Sequence, residues 1–285
     1  GKVTEANIDM NITVGTPQII YVSNDSISEV TLSEDDGSAS TYQNIIVNFT
    51  AYSPAGGGFL DYSSAWVNLT IAGGNTRENS SCHAKDINGN YVNFTCNITM
   101  WWFDNPGTWA VHAYIADNNS NAAQNTSTDF TINPTTSLVA SPERLTWSGV
   151  GAGSTNITPT DDPWLLNNTG NNAISSADLE INATNLRGET DTELMLAASN
   201  FSVSWQTGGA ACSGDACLEC MGTQMNNNAT FKGQGVSNLT IGNFSVNDGS
   251  TGQEQLYLCL KLAGPELTTQ SYSTANESAW TLKIS

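Results

Sequence analysis

Positive charge is scarce in this sequence. Eight Lys and Arg stand against 27 Asp and Glu in 285 residues, for a net charge of -19. Such a surface repels phosphate backbones, which excludes nucleic acid as a partner, and it repels an anionic membrane surface as well. Charge of either sign is sparse, at 12% of residues against roughly 25% in an ordinary soluble domain. Long apolar runs are missing too. None approaches 18 residues, so the sequence predicts no membrane span. The chain opens on Gly1-Lys2-Val3 without a signal peptide, which reads as a mature form after removal of an export signal. Filaments built on an apolar N-terminal helix are excluded for want of that helix.

Histidine is nearly absent, with only two residues, His83 and His112. Neither accompanies a G-x-S-x-G elbow, and the sequence holds no H-E-x-x-H, P-loop or G-x-G-x-x-G. The sequence therefore predicts that the protein is not an enzyme and carries no cofactor. Carboxylates do cluster, at Glu34-Asp35-Asp36-Gly37 and Asp161-Asp162-Pro163, and these read as solvated turns. Calcium is the minor alternative. Asp86, Asn88 and Asn90, and Asp117, Asn119 and Asn121, have i, i+2, i+4 spacing, but Tyr91 and Ala122 stand where an EF-type loop needs glycine.

What the sequence has in abundance is Asn, Ser, Thr and Gly. Asn-X-Ser/Thr occurs seventeen times, beginning at Asn11, Asn24, Asn48, Asn68, Asn79, Asn93, Asn97, Asn118, Asn125, Asn156, Asn167, Asn182, Asn200, Asn228, Asn238, Asn243 and Asn276. Composition alone predicts about seven such acceptors. Their phase carries more information. The middle residue is often apolar, as at Phe49, Leu69, Phe94, Ile98 and Phe201. In a strand, residues i and i+2 share one face and i+1 takes the other. Asn48 with Thr50 then faces water while Val47, Phe49 and Ala51 face the core, and Asn68 with Thr70 does the same against Val67, Leu69 and Ile71. The sequons are expected on outer sheet faces, where a glycan fits.

Period-two alternation dominates and helical periodicity is nearly absent. The expected fold is all-β: two Ig-like β-sandwich domains in tandem with an N-terminal extended strand. Residues 1–16 form that strand, with Ala6, Ile8, Met10, Ile12 and Val14 alternating with polar residues before Gly15-Thr16-Pro17. Residues 17–134 read as the first sandwich, with strands at 45–51, 65–72, 91–100, 108–116 and 128–132. Residues 135–285 read as the second, with strands near 145–147, 177–183, 200–205, 255–262 and 279–284. Ala177, Leu179, Ile181 and Ala183 alternate, with Asn182 pointing out.

Pro-Gly-Thr-Trp-Ala-Val-His-Ala-Tyr-Ile-Ala-Asp at 106–117, followed by Thr-Asp-Phe-Thr-Ile at 128–132, resembles the last two strands of Ig-like domains in prokaryotic surface proteins. Asn167-Asn168-Thr169-Gly170-Asn171, Leu145-Thr146-Trp147 and Gln270-Ser271-Tyr272-Ser273 resemble β-sandwich modules of archaeal surface glycoproteins of the thread-like filament or S-layer type. These stretches cover about a quarter of the chain, and the Ig-like pattern is loose. The antibody-type Cys…Trp…Cys spacing is missing. Archaeal thread-like filaments are glycosylated sandwiches joined by a donated strand, and residues 6–14 are similar.

Six cysteines in an exported chain suggest three disulfides. Cys82 and Cys96 flank Asn88-Gly89-Asn90, a turn signal that would set them opposite one another. Cys212, Cys217, Cys220 and Cys259 leave three connectivities, of which Cys212–Cys217 with Cys220–Cys259 is the expected one. The C-x4-C-x2-C spacing also matches plant-type iron–sulfur ligation, which export and oxidation disfavour.

The sequence thus predicts an extracellular, N-glycosylated structural subunit of a cell-surface filament, sheath or S-layer, whose partners are copies of itself and covalent glycans. Residues 6–14 would be donated to the next subunit, or else begin a sheet of their own domain. The alternative is an adhesin or carbohydrate-binding protein, with Trp101, Trp102 and Trp164 as exposed stacking aromatics.

Overall fold

The computed structural model describes residues 15–24, 28–35, 40–204, 218–232, 239–242 and 252–285. The alternating row Ala6, Ile8, Met10, Ile12 and Val14 lies outside the described residues, as do Asn11, Asn238, Asn243, Cys212 and Cys217. The described chain is all-β, with short 3-10 turns and no α-helix. It divides into two compact units. One holds the described residues up to Leu32 together with Tyr42–Asn133, and the other holds Ser33–Thr41 and Pro134–Ser285.

The first unit has nine strands: β1 (Gln18–Asn24), β2 (Glu29–Thr31), β3 (Tyr42–Tyr52), β4 (Leu60–Thr70), β5 (Thr76–Asn79), β6 (His83–Asn88), β7 (Tyr91–Trp101), β8 (Gly107–Asp117) and β9 (Ala122–Asn133). They form one sheet in the order β1-β3-β7-β6 and a second in the order β2-β9-β8-β4-β5. All pairs are antiparallel except β2 with β9. Lettering the long strands in sequence order makes the first sheet A-B-E-D and places C, F and G in the second. That is the Ig-type Greek key.

The alternation that predicts these strands also fills the core. Val47, Phe49 and Ala51 of β3 meet Val92, Phe94, Cys96 and Ile98 of β7, all at most 1% exposed, and across them lie Val67, Leu69, Trp109, Val111 and Ile115. Phe49 and Phe94 stack with centroids 4.8 Å apart. Each large side chain so buried contributes about 1.5–3 kcal/mol. The β6–β7 hairpin turns at Gly89, whose φ of 61° suits the first central place of a type II′ turn. Register then sets His83 against Thr95, and the neighbouring Cys82 and Cys96 form a disulfide with Cα atoms 4.4 Å apart. Closing a loop of that length contributes about 3 kcal/mol. It also pins β6, an edge strand exposed at every position. Its Lys85 and Asp86 discourage pairing with another chain.

The second unit is built from shorter pieces. β10 (Leu138–Ser141), β11 (Thr155–Ile157), β12 (Trp164–Asn168), β16 (Phe201–Ser204), β17 (Thr223–Gln224) and β19 (Gln253–Leu262) make a six-stranded sheet. β13 (Leu179–Asn182), β18 (Thr230–Lys232) and β21 (Thr281–Ile284) make one of three strands, and β14 (Leu186–Gly188), β15 (Met195–Leu196) and β20 (Tyr272–Ser273) make another. All three sheets contribute to one apolar cluster. Cys220 is bonded to Cys259 of β19.

Three expectations are corrected here. Residues 145–147 are not a strand. The Thr146 N–H donates to Asp161 Oδ1 at 2.8 Å and Trp147 Nε1 to the Ile157 carbonyl at 3.0 Å, so side-chain bonds replace a ladder. Ala177 is exposed in a 3-10 turn, and the buried row begins at Leu179. Asp35 does not sit in a solvated turn. It is 3% exposed in the second unit, and its N–H donates to the Thr169 carbonyl at 2.9 Å.

Candidate glycosylation surface and a half-covered core

β3 and β7 pair in full register from Tyr42 opposite Trp101 to Tyr52 opposite Tyr91. Because every second residue points away from the core, the outer face is a row of six rungs. Two aromatic rungs, Tyr42 with Trp101 and Tyr52 with Tyr91, bound four others: Asn44 with Thr99, Ile46 with Asn97, Asn48 with Thr95 and Thr50 with Asn93. Three sequons therefore share one face, and two of them interlock. The Thr95 hydroxyl donates to Asn48 Oδ1 at 2.7 Å, and the Thr50 hydroxyl donates to Asn93 Oδ1 at 2.8 Å. Each threonine thus completes its own sequon and orients the asparagine of the other. With both oxygens occupied, the amide nitrogens remain for a glycan.

On the other sheet, Asn68 and Thr70 of β4 lie opposite His112 and Ala110 of β8. The Thr70 hydroxyl and His112 Nε2 are 3.0 Å apart, so His112 lies on the outer face with Tyr114. Not every sequon is arranged this way. At Asn79 and Asn125 the side-chain nitrogen donates to the carbonyls of Asn97 and Ile19, respectively. Asn118, Asn228 and Asn276 are exposed, and Asn156 is half-buried with a φ of 56°. Of Asn24 only the backbone is described, as part of β1.

In the second unit the outer-face rule fails at three sequons. The third residues of those at Asn167, Asn182 and Asn200 are Thr169, Thr184 and Ser202, and all are at most 2% exposed. The Thr184 hydroxyl donates to the Ser278 carbonyl. The reason is covering on both faces: all four residues of β16 are buried, and so are three of the four in β13. A strand with no wet face has no outward row.

Among the described residues the two cores differ in how far their members are buried. The first cluster has 24 buried members and three half-buried apolar neighbours there. The second has 15 buried members and twelve half-buried ones, among them Leu145, Trp147, Trp164, Leu186, Leu267 and Trp280. Those six also line a cavity of about 600 Å³ with Phe201 at its wall. Protein interiors are close-packed and leave few voids larger than a water molecule. Trp164 Nε1 is buried without a hydrogen-bond partner, which is uncommon for a buried donor.

The remaining candidates are accounted for by packing. Trp102 is 2% exposed and Phe103 5% exposed, with rings edge to face at 5.3 Å. Trp164 packs against the second core. The expectation of an exposed stacking ring at Trp102 is therefore corrected, because that ring is buried against Phe103, while Trp164 is half-buried at the wall of the cavity. Asp117 is buried, and its carboxylate accepts the N–H groups of Asn119 and Asn121 and the Asn121 side-chain amide. The Asn121 amide above all holds that carboxyl below its ordinary value of 3.8, with the two N–H bonds adding to the effect and burial opposing it. Its oxygens close its own turn, while Asp86 is exposed on β6. No group of three metal-ligating side chains exists among the described residues, and no helix among them is long and apolar enough to cross a membrane.

No family model matches the chain, and no curated protein matches it in sequence. Solved structures give distant likenesses. One is a PKD domain of an M14-like peptidase from a Thermoplasmatales archaeon, 17% identical, covering 42% of this chain and 99% of that one at a TM-score of 0.26. Another is a membrane-anchored protein from Corynebacterium diphtheriae, 11% identical, at a TM-score of 0.19. That likeness covers 95% of this chain and 57% of the other.

Proposed function

We propose that this is an extracellular, N-glycosylated structural subunit that polymerises into a cell-surface filament, with residues 6–14 of one copy laid into the second unit of the next. The half-covered core carries the reading. A domain in which eight half-buried apolar side chains of the described residues line a 600 Å³ cavity gains much by receiving a further apolar row. Ala6, Ile8, Met10, Ile12 and Val14 are such a row, spaced for one face of a strand. Main-chain pairing would supply continuity and the alternate side chains would fill the groove. A head-to-tail contact of this kind makes a fibre on repetition wherever its rotation does not close into a ring.

Two disulfides support an oxidising compartment. The sequon rungs on the first unit support a sugar-coated exterior, leaving the strand edges and the groove for contact between copies. Negative-stain electron microscopy of the glycoprotein, compared with a variant lacking residues 1–14, tests the proposal. Filaments that vanish on truncation are expected. Monodisperse particles in both samples would overturn the polymer.

A further inference from the structure

Only two of the seventeen sequons have an aromatic residue two places before the asparagine: Trp66 before Asn68, and Tyr91 before Asn93. Both lie in strands, so Trp66, Asn68 and Thr70 share one outer face, as do Tyr91, Asn93 and Thr95. Each aromatic is doubled across the sheet. Trp66 lies opposite Tyr114, with centroids 5.0 Å apart and planes within 8°. Tyr91 lies opposite Tyr52 at 5.1 Å. A cross-strand aromatic pair thus stands beside a sequon on both sheets of the first unit, with nearly parallel rings in the Trp66 pair and rings tilted by 48° in the Tyr91 pair.

The amides are set to match. Asn68 Oδ1 is buried without a donor, whereas its nitrogen is not among the buried unpartnered atoms. Asn93 Oδ1 is held by the Thr50 hydroxyl. In both, the nitrogen to which a sugar is joined is the free end. It lies about 6.6 Å along the strand from an aromatic pair, two residues at about 3.3 Å each. A pyranose has one face of C–H groups with slight positive charge, and an aromatic ring presents a negative face. The first sugar on either nitrogen is tethered within reach of such a surface.

We infer that the Trp66–Tyr114 and Tyr52–Tyr91 pairs are platforms that pack the first sugar of the glycans at Asn68 and Asn93. The inference rests on the glycosylation reading above. These two glycans are then fixed parts of the first unit, while those at Asn48, with Ile46 at the corresponding place, and Asn97, with Thr95 there, project freely.

The test uses the full chain produced in a cell that N-glycosylates it. Glycopeptide mass spectrometry reads occupancy, and proton NMR reads the first-sugar C–H groups. The sugars at Asn68 and Asn93 are expected upfield of that at Asn97, shifted by the ring currents. Asn93→Gln is expected to lower the melting temperature by about 2–4 °C in the parent, and by clearly less in a Tyr91→Ser background, where only the bond from the Thr50 hydroxyl is disturbed. Tyr91 is 45% exposed, so that background folds. Occupied sites with no upfield shift, and an equal loss in both backgrounds, would overturn the platforms and leave glycosylation standing. Unoccupied Asn68 and Asn93 would overturn both.

Discussion

Asp104→Ala is expected to cost the first unit about 3–5 kcal/mol, the range for breaking a buried ion pair on one side. Asp104 is fully buried at the turn between β7 and β8. Its two oxygens accept Arg77 Nε at 2.9 Å and Nη2 at 2.5 Å, and one also accepts the Trp101 N–H at 2.8 Å. The Arg77 guanidinium lies 5.7 Å from the Phe103 ring centroid and is 19% exposed at its side chain. Removing the carboxylate strands this half-covered cation and takes away the bond from the Trp101 N–H. Arg77→Ala is expected to do at least as much harm, because the charge it strands has no access to water. The double variant Asp104→Leu, Arg77→Met should recover most of the loss and keep a deficit of about 1 kcal/mol for the lost bond from the Trp101 N–H. Urea unfolding of the three variants reads these values. A loss under about 1 kcal/mol for Asp104→Ala would mean that the pair is merely tolerated.

The sequence does not announce this pair. Arg77 and Asp104 are 27 residues apart, and three consecutive aromatics at 101–103 break the alternation that makes the rest of the first unit readable. Where a strand has one wet face, the sequence and the structure agree residue by residue. In β3 and β7 every buried residue is apolar and the sequon residues are outer rungs, with Ile46 an apolar residue left on the outer face. Cys82 and Cys96 are legible for the same reason, since a Gly turn between alternating strands fixes the register that brings them together.

Legibility fails where the periodicity has no physical cause. β13 and β16 are covered on both faces, so polar residues such as Glu180 and Ser202 are buried within them. Period two then says nothing about exposure. Residues 145–147 alternate like a strand, yet Asp161 takes the bond that a neighbouring strand would make. The interlocking of the Asn48 and Asn93 sequons was legible only in part. Each phase is written in its own strand, but the register that sets Thr95 against Asn48 is a property of the pair. The half-covered core could not be read at all, because a cavity is the absence of a neighbour and sequence records only the residues that are present.

That missing neighbour yields the other large effect. A peptide of residues 4–16, added to protein lacking residues 1–14, is expected to stabilise the second unit and leave the first unchanged. Binding to the folded state alone adds RT ln(1 + [L]/Kd), or about 4 kcal/mol at a thousandfold excess over Kd. Calorimetry at several peptide concentrations should show one transition rising steadily and the other fixed. The decisive comparison is a peptide of the same composition with its alternation shifted by one residue. Such a slip sends Ala6, Ile8, Met10, Ile12 and Val14 to the opposite face, so main-chain pairing survives while the apolar row turns away from Trp147, Trp164 and Trp280. If the shifted peptide stabilises equally, the groove reads only backbone and the donated row is wrong. If neither peptide binds, the cavity is closed by other means and residues 6–14 belong to a sheet of their own chain. If only the native phase binds, each copy carries one donor segment and one acceptor groove, and copies that pass the segment onward make a polar fibre while two that exchange segments reciprocally stop at a closed dimer, which the length of the particles tells apart.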